Sequence, residues 1–300
     1  MPSTRDIRRR IKSVKNTAQI TKAMQMVASA KMRKAQQAAL AGRPYSALMN
    51  EVLASVTQHA GDFTHPLMEK REGGKRALIV ISTDKGLCGS LNSNLLREAG
   101  RADAATVYVT AGRKASQFVG RIRRNLAAEF TYKDSPQFSE ARAISKFVQD
   151  LFLKGEVSGV DVLFTNFINV MTQKPEIREF LPLGELKAFN ESGFGRPAAR
   201  DASPSPANDG SAAGSFEYLF EPAPGEVFSA LLPHYLNYQM FQFLLEAKAS
   251  EHSARMVAMK SATDNAKQLI KDLTLEYNKM RQASITKELL EITSAAMALG

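Results

Sequence analysis

The clearest hydrophobic pattern lies at the two ends of the chain. Stepping by four and three residues from Leu245 visits Leu245, Ala249, His252, Met256, Met259, Thr263, Ala266, Ile270, Leu273, Tyr277, Met280 and Ser284. Nine of these twelve are Leu, Ile, Met, Ala or Tyr. A mean step of about 3.5 residues is the seam of a left-handed coiled coil. Here it is a seam of many small side chains. The N-terminal end alternates in the same way, through Ile7, Ile11, Val14, Ala18, Thr21, Gln25, Ala28, Met32, Ala35 and Ala39. Pro2-Ser3-Thr4 is a helix start, with Ser3 or Thr4 as N-cap and Asp6 in the first turn. No Gly or Pro stands between Pro2 and Gly42, nor between Pro233 and Gly300. The pattern predicts a helix of ~55 residues, roughly 80 Å long, at the N-terminus and one of ~70 residues, about 105 Å, at the C-terminus. Gly42-Arg43-Pro44 should bend or end the first. Two seams from opposite ends of one chain pair antiparallel if the middle brings them together. The longer C-terminal helix then projects: after Ser284 its seam positions become Lys287 and Glu291, which need another protein around them.

Between the ends the pattern changes. Ala77–Thr83, Thr106–Ala111 and Gly159–Thr165 are short β-rich runs, and helical patterns occupy Asn92–Arg101, Arg113–Arg121 and Phe138–Leu153. Strands alternating with helices predict a small parallel α/β sheet. Residues 190–215 are rich in Gly, Ser, Ala and Pro, the composition of a flexible loop. Phe216–Phe220 reads as one more strand before a long helix that begins near Pro224. The fold class expected is therefore mixed α/β and α+β: a long antiparallel coiled coil of N- and C-terminal helices plus a small Rossmann-like α/β domain. The expected divisions are an N-terminal coiled-coil helix at 1–60, an α/β body at 75–222 with a flexible loop at 190–215, and a C-terminal coiled-coil helix at 224–300.

Composition adds limits. The chain has 300 residues, 44% hydrophobic and 23% charged, ordinary globular usage. Its longest unbroken aliphatic run, Ala77–Ile81, is far shorter than the ~20 residues of a membrane span. A single cysteine, Cys88, excludes an internal disulfide framework and a cysteine-rich zinc site. The net charge is +10, and residues 1–35 hold ten Lys or Arg against one acid, Asp6, leaving the remainder nearly neutral. A basic end suits nucleic acid, an anionic membrane, an acidic protein surface or an organelle transit peptide. Residues 1–44 contain no aromatic side chain to stack on bases, which leaves a solvated helix face or a contact with an acidic protein surface.

Candidate catalytic chemistry is sparse. The turn Asp84–Ser90 follows the first strand, where a phosphate loop would sit, yet it matches neither G-x-G-x-x-G nor G-x-x-x-x-G-K-[ST]. Cys88 has no histidine near it in sequence, since the four stand at 59, 65, 234 and 252, so it reads as a small buried hydrophobe. His252 lies on the seam. No cluster has metal-ligand spacing, and no paired carboxylates mark an acid–base site. The residues alone describe an interaction protein without a cofactor. Two rivals stay open: an enzyme with a ligand at Asp84–Ser90, and a basic coiled-coil nucleic-acid-binding or scaffold protein.

Three segments resemble one family, the gamma (rotor) subunit of F-type ATP synthases. They are Ile11–Gln36 (IKSVKNTAQITKAMQMVASAKMRKAQ), Ser82–Leu91 (STDKGLCGSL), and Ser250–Leu289 with ARMVAMKSATDN at Ala254–Asn265 and YNKMRQASIT at Tyr277–Thr286. With FEYLFEP at 216–222 the likeness spans essentially the whole chain. Ser294-Ala295-Ala296 stands where the family usually has a Gly-Ala pair, the 190–215 segment is unusually long and polar, and the cysteine-bearing loop of chloroplast members is lacking. The likeness begins within the first ten residues, which points to a bacterial-type protein without a transit peptide. The resemblance implies a non-catalytic subunit of the proton-transporting complex, peripheral on the cytoplasmic face of the bacterial inner membrane, with no small-molecule substrate and no nucleic acid. Its implied partners are the alpha and beta subunits of the hexamer, the epsilon subunit and the c ring. By the same resemblance Lys22, Met24 and Arg33 should face beta. Glu251, Arg255, Gln282 and Thr286 should form a coupling network facing the hexamer or the other shaft helix, and Tyr218 and Glu221 should lie near epsilon and the ring.

Overall fold

The computed structural model describes residues 3–42, 44, 45, 48, 49, 52, 53, 65–71, 73–183, 221 and 223–299. The loop expected at 190–215, the strand expected at Phe216–Phe220 and Tyr218 lie outside the described residues. Among those described, the elements are α1 (Thr4–Ala41), β1 (Arg76–Ile81), α2 (Leu91–Ala99), β2 (Val107–Ala111), α3 (Arg113–Arg121), β3 (Leu126–Phe130), α4 (Phe138–Leu153), β4 (Gly159–Phe167), β5 (Gln173–Leu181) and α5 (Pro224–Leu299). They fall into two compact units, residues 1–29 with 255–300, and residues 30–254.

In the first unit, α1 starts as the sequence requires. Ser3 and Asp6 cap it reciprocally: Asp6 N donates to Ser3 Oγ at 3.2 Å and Ser3 N to an Asp6 carboxylate oxygen at 3.3 Å. The bond from the Ser3 hydroxyl chiefly holds the Asp6 carboxyl below the usual carboxylate range. The seams are where stepping by four and three puts them. Ile7, Thr21 and Ala28 of α1 and Met259, Thr263, Ala266 and Leu273 of α5 are buried. Thr21 Oγ1 and Thr263 Oγ1 share a buried hydrogen bond of 2.7 Å, and the Arg8 guanidinium lies 5.9 Å from the Tyr277 ring centroid. Descending α1 therefore ascends α5, and the pairing is antiparallel.

In the second unit the sheet order is β3-β2-β1-β4-β5. The first four strands are parallel neighbours, whereas β5 pairs antiparallel with β4. This corrects the expectation of an all-parallel sheet. The β4–β5 connection is residues 168–172, too short for a crossover. Asn169 closes it, its side-chain oxygen accepting from Met171 N at 2.9 Å and Thr172 N at 2.7 Å. β1 and β2 are buried on both faces, apart from Arg76, as strands covered on two sides must be. On one face Ala77, Ile79 and Ile81 meet α4 through Ile144, Val148 and Phe152, and α5 through Leu236, Phe243 and Leu244. On the other, Leu78 and Val80 meet Leu95 of α2 and Val119 of α3. Large fully buried side chains such as Phe152, Phe164 and Phe243 contribute about 1.5–3 kcal/mol each.

α1 ends at Ala41, at the expected Gly42-Arg43-Pro44 break, and residues 44, 45, 48, 49, 52 and 53 are helical again. Gly42 lets α5 approach: a Cβ there would stand 2.5 Å from Tyr238 Oη, which donates to the Gly42 carbonyl. Ala35 and Ala39 pack on Leu245, Ala249 and Phe167.

Gly112, between β2 and α3, has φ +103°, and a Cβ would lie 2.3 Å from the Ser82 carbonyl oxygen. Ser82 Oγ donates to Gly112 O at 3.2 Å and accepts from Ala115 N at 2.8 Å. Gly112→Ala should cost roughly 3 kcal/mol or more, read as a fall on the order of 10 °C in the melting temperature of the isolated chain. An unchanged melting temperature would show that the loop after β1 yields instead.

Candidate functional site

In the unit of residues 1–29 and 255–300, apolar side chains also face away from the seam. Ile20 and Met26 are each 60% exposed. A groove of about 480 Å³, lined by Ala18, Gln19, Lys22, Ala23, Met26, Thr263 and Lys267, runs between α1 and α5 with a lysine from each helix. Past Met280, residues 281–297 of α5 are all exposed, including Leu289, Leu290 and Ile292. Leu289 and Leu290 stand about 100° apart around the helix, so exposed apolar side chains occupy two of its faces, a pattern that suits a partner surface.

The candidate residues separate into groups. Lys22 is exposed on the groove and Met24 half-buried; Arg33 is exposed on α1 in the second unit. Glu251 is buried, Arg255 half-buried, and Gln282 and Thr286 fully on the surface. Arg255 and Gln282 lie about 40 Å apart along α5, so these side chains do not form one network within the chain. Glu221 is exposed.

In a doubly wound sheet, ligands bind beyond the carboxyl ends of the strands, where connections leave in opposite directions. Here that place lies between β1 and β4, and the chain fills it. Tyr132, following β3, donates its hydroxyl to Ser82 O at 2.9 Å. α5 crosses the ends of the strands, with Ser250 Oγ donating to Thr165 O and Ser253 Oγ to Val170 O, each at 2.8 Å. The Asp84–Ser90 turn is stiffened locally: Asn92 Nδ2 donates to Thr83 Oγ1 at 2.8 Å and to the buried Cys88 sulfur at 3.2 Å. No group of His, Cys, Asp and Glu among the described residues could hold a metal ion. No described helix is long and apolar enough to cross a membrane.

The filled crevice contains a charge cluster of which sequence reasoning named only Glu251. Lys248 of α5 is buried, with Nζ 2.9 Å from Glu251 Oε2, 3.8 Å from Asp134 Oδ1 and 4.5 Å from the Tyr132 ring centroid. Lys31 of α1 reaches Asp134 Oδ2 at 2.5 Å. Asp134, in the loop between β3 and α4, thus meets lysines from both long helices. The hydrogen bond from Lys31 chiefly lowers its pKa, with the charges of Lys248 and His252 acting in the same direction. Burial raises the Tyr132 phenol well above its usual range. The one available signal was the pair Lys248 and Glu251 inside the run Phe241–Ser253, where the pattern of polar positions loses its period.

A second basic patch lies on α2 and α3, where Arg97, Arg101 and Arg121 rim a cleft of about 490 Å³ floored by Leu96 and Phe118. The basic surface therefore extends beyond the first 35 residues.

The class these features define is a protein of paired terminal helices together with an α/β body. A family model described as ATP synthase matches residues 3–299. The ATP synthase gamma chain of Opitutus terrae is 50% identical over 301 residues, covering 99% of each chain, and that of Methylacidiphilum infernorum is 45% identical over 306 residues, covering 100% of each. The rotor of Euglena gracilis mitochondrial ATP synthase, solved by cryo-EM, is similar in fold at a TM-score of 0.63 and 18% identity, covering 94% of this chain and 98% of that one. The chain belongs to the ATP synthase gamma chain family.

The lowered pKa of Asp134 gives a signed prediction. Its carboxylate is favoured by folding, so its contribution is fully present above the unfolded value of about 3.9 and is lost as pH falls through the lower folded value. Thermal stability of wild type and Asp134→Asn should differ at neutral pH and converge in acid. A difference that persists at the acid end would assign the effect to packing.

Proposed function

We propose that this chain is the central rotating stalk of a bacterial ATP synthase. It couples proton flow through a membrane c ring to conformational change at catalytic beta subunits, and runs in reverse as an ATP-driven pump. The carrying observation is kinship with gamma chains over 99–100% of their length, joined to a terminal helix that leaves Leu289, Leu290 and Ile292 exposed. The paired helices stand within an alpha–beta hexamer, and the α/β body holds epsilon and the ring. Tyr218 and Glu221 belong to that foot. The assembly is peripheral on the cytoplasmic face of the membrane.

The chain supplies geometry and no catalytic group. A shaft shifts a beta subunit between open and closed states only by contacts that differ between them. Lys22, Met24 and Arg33 on α1, and Glu251, Arg255, Gln282 and Thr286 on α5, are the residues assigned to this task. Because Gln282 and Thr286 lie far along α5 from Arg255, they engage the hexamer at a different level. Charge-assisted contacts from the basic surface to acidic loops make the preference specific to rotation angle.

A tagged chain isolated from its native membranes should bring alpha, beta and epsilon with ATPase activity. Isolation alone or with nucleic acid would overturn the assignment. Within the assembled complex, Arg255→Ala should reduce ATP-driven proton pumping about fivefold or more while subunit content stays at the wild-type level. Normal pumping at normal assembly would remove Arg255 from the coupling contacts.

A further inference from the structure

We infer that buried Lys248, Glu251 and Tyr132, together with the exposed carboxylate of Asp134 and closed by Lys31, form a positioning joint. It sets the angular and axial register of α5 on the α/β body, and through that register it determines how faithfully torque leaves the body. The inference rests on the rotor reading above and deepens it.

The physical case begins with cost. A lysine with a side chain 2% exposed is expensive to bury, and a buried ion pair generally adds little net stability over an apolar pair of the same size. Such groups are best attested as devices that fix register, because a shift leaves a charge without its partner. The surroundings here have that directional character. Lys248 is held along three directions: by Glu251 on its own helix, by Asp134 from the body, and by the face of the Tyr132 ring. Tyr132 is itself tied to the end of β1 through Ser82 O. Rotating α5 by one residue, about 100°, would carry the ammonium off the ring and leave an apolar neighbour, Ala247 or Ala249, in its place.

The remaining contacts of α5 here discriminate less. Alanine and leucine packing at Ala249, Leu245 and Ala39 tolerates small rotations. The Ser250 and Ser253 hydroxyls reorient at little cost. Asp134 adds a further constraint: one carboxylate meets Lys31 of α1 and Lys248 of α5, so both long helices are referenced to the same loop of the body. The Lys31 contact lies on the surface and is screened by salt; the Lys248–Glu251 contact is buried and much less so.

The test separates register from stability. Lys248→Met with Glu251→Gln removes both charges while keeping volume close to native. In the complete complex, reconstituted in membrane vesicles with its own partners, this double variant should retain its full subunit content. Protons pumped per ATP hydrolysed should fall about threefold or more, while the melting temperature of the isolated chain stays at or above that of wild type. Restoring the charges with Lys248→Arg and native Glu251 should recover pumping. Wild-type pumping per ATP in the double variant would overturn the joint. Should the double variant fail to assemble, Asp134→Asn gives the second measurement. It should lower pumping per ATP, more strongly as load on the pump increases, and equality with wild type at all loads would overturn the proposal. A complex lacking this chain altogether is the control for the rotor reading itself. Coupled pumping without it would defeat that reading, whatever the variants show.

Discussion

The rest of the structure depends on the hydrogen-bonded ladder of α5, 76 residues long and short of a backbone donor at Pro233. A helix satisfies its own backbone donors and acceptors, so it can pass through unlike surroundings without interruption, and side chains alone decide what it meets. From Tyr235 to Ser253 nearly every position is buried. From Met259 to Leu273 burial falls on one stripe, and from Arg281 to Met297 every position is exposed. The exposed portion draws on good helix formers and on side-chain pairs a turn apart, such as Ser284 with Glu288 at 3.2 Å and Lys287 with Glu291 at 3.7 Å.

What the sequence disclosed follows from how each element is buried. The seams were legible because only one stripe is covered, so the spacing of Ile7, Thr21, Ala28, Met259, Thr263 and Ala266 survives as a period. β1, β2 and β4 were legible because burial on both faces leaves aliphatic, β-branched runs. β3 and β5 were not. They are edge strands whose outer positions carry Ala, Lys, Glu and Arg, and β5 contains Pro175, which a central strand excludes. The site divides the same way. Lys22 and Arg255 stand in the segments that carry the family likeness. The joint is invisible locally, because Asp134 meets Lys31 and Lys248 only through the topology of the sheet. Lys248 in isolation looks like any solvated helix lysine.

The crevice shows how one architecture changes employment. A doubly wound sheet ordinarily leaves a gap at the ends of its strands for a ligand. In this chain Tyr132 closes it from one side and α5 from the other. The backbone oxygens of Ser82, Thr165 and Val170 accept hydrogen bonds from protein hydroxyls. A sheet edge that could have held a small molecule grips a helix instead.

The naked end of α5 changes what folding means for this chain. A helix without tertiary contacts is held only by its own turns and frays readily. Enclosure by other subunits acts on it as a ligand acts on any folding equilibrium, adding stability that grows with the logarithm of their concentration relative to the dissociation constant. On the rotor reading proposed above, the stability of residues 281–297 is coupled to assembly, because the subunits that enclose the helix also hold its turns together.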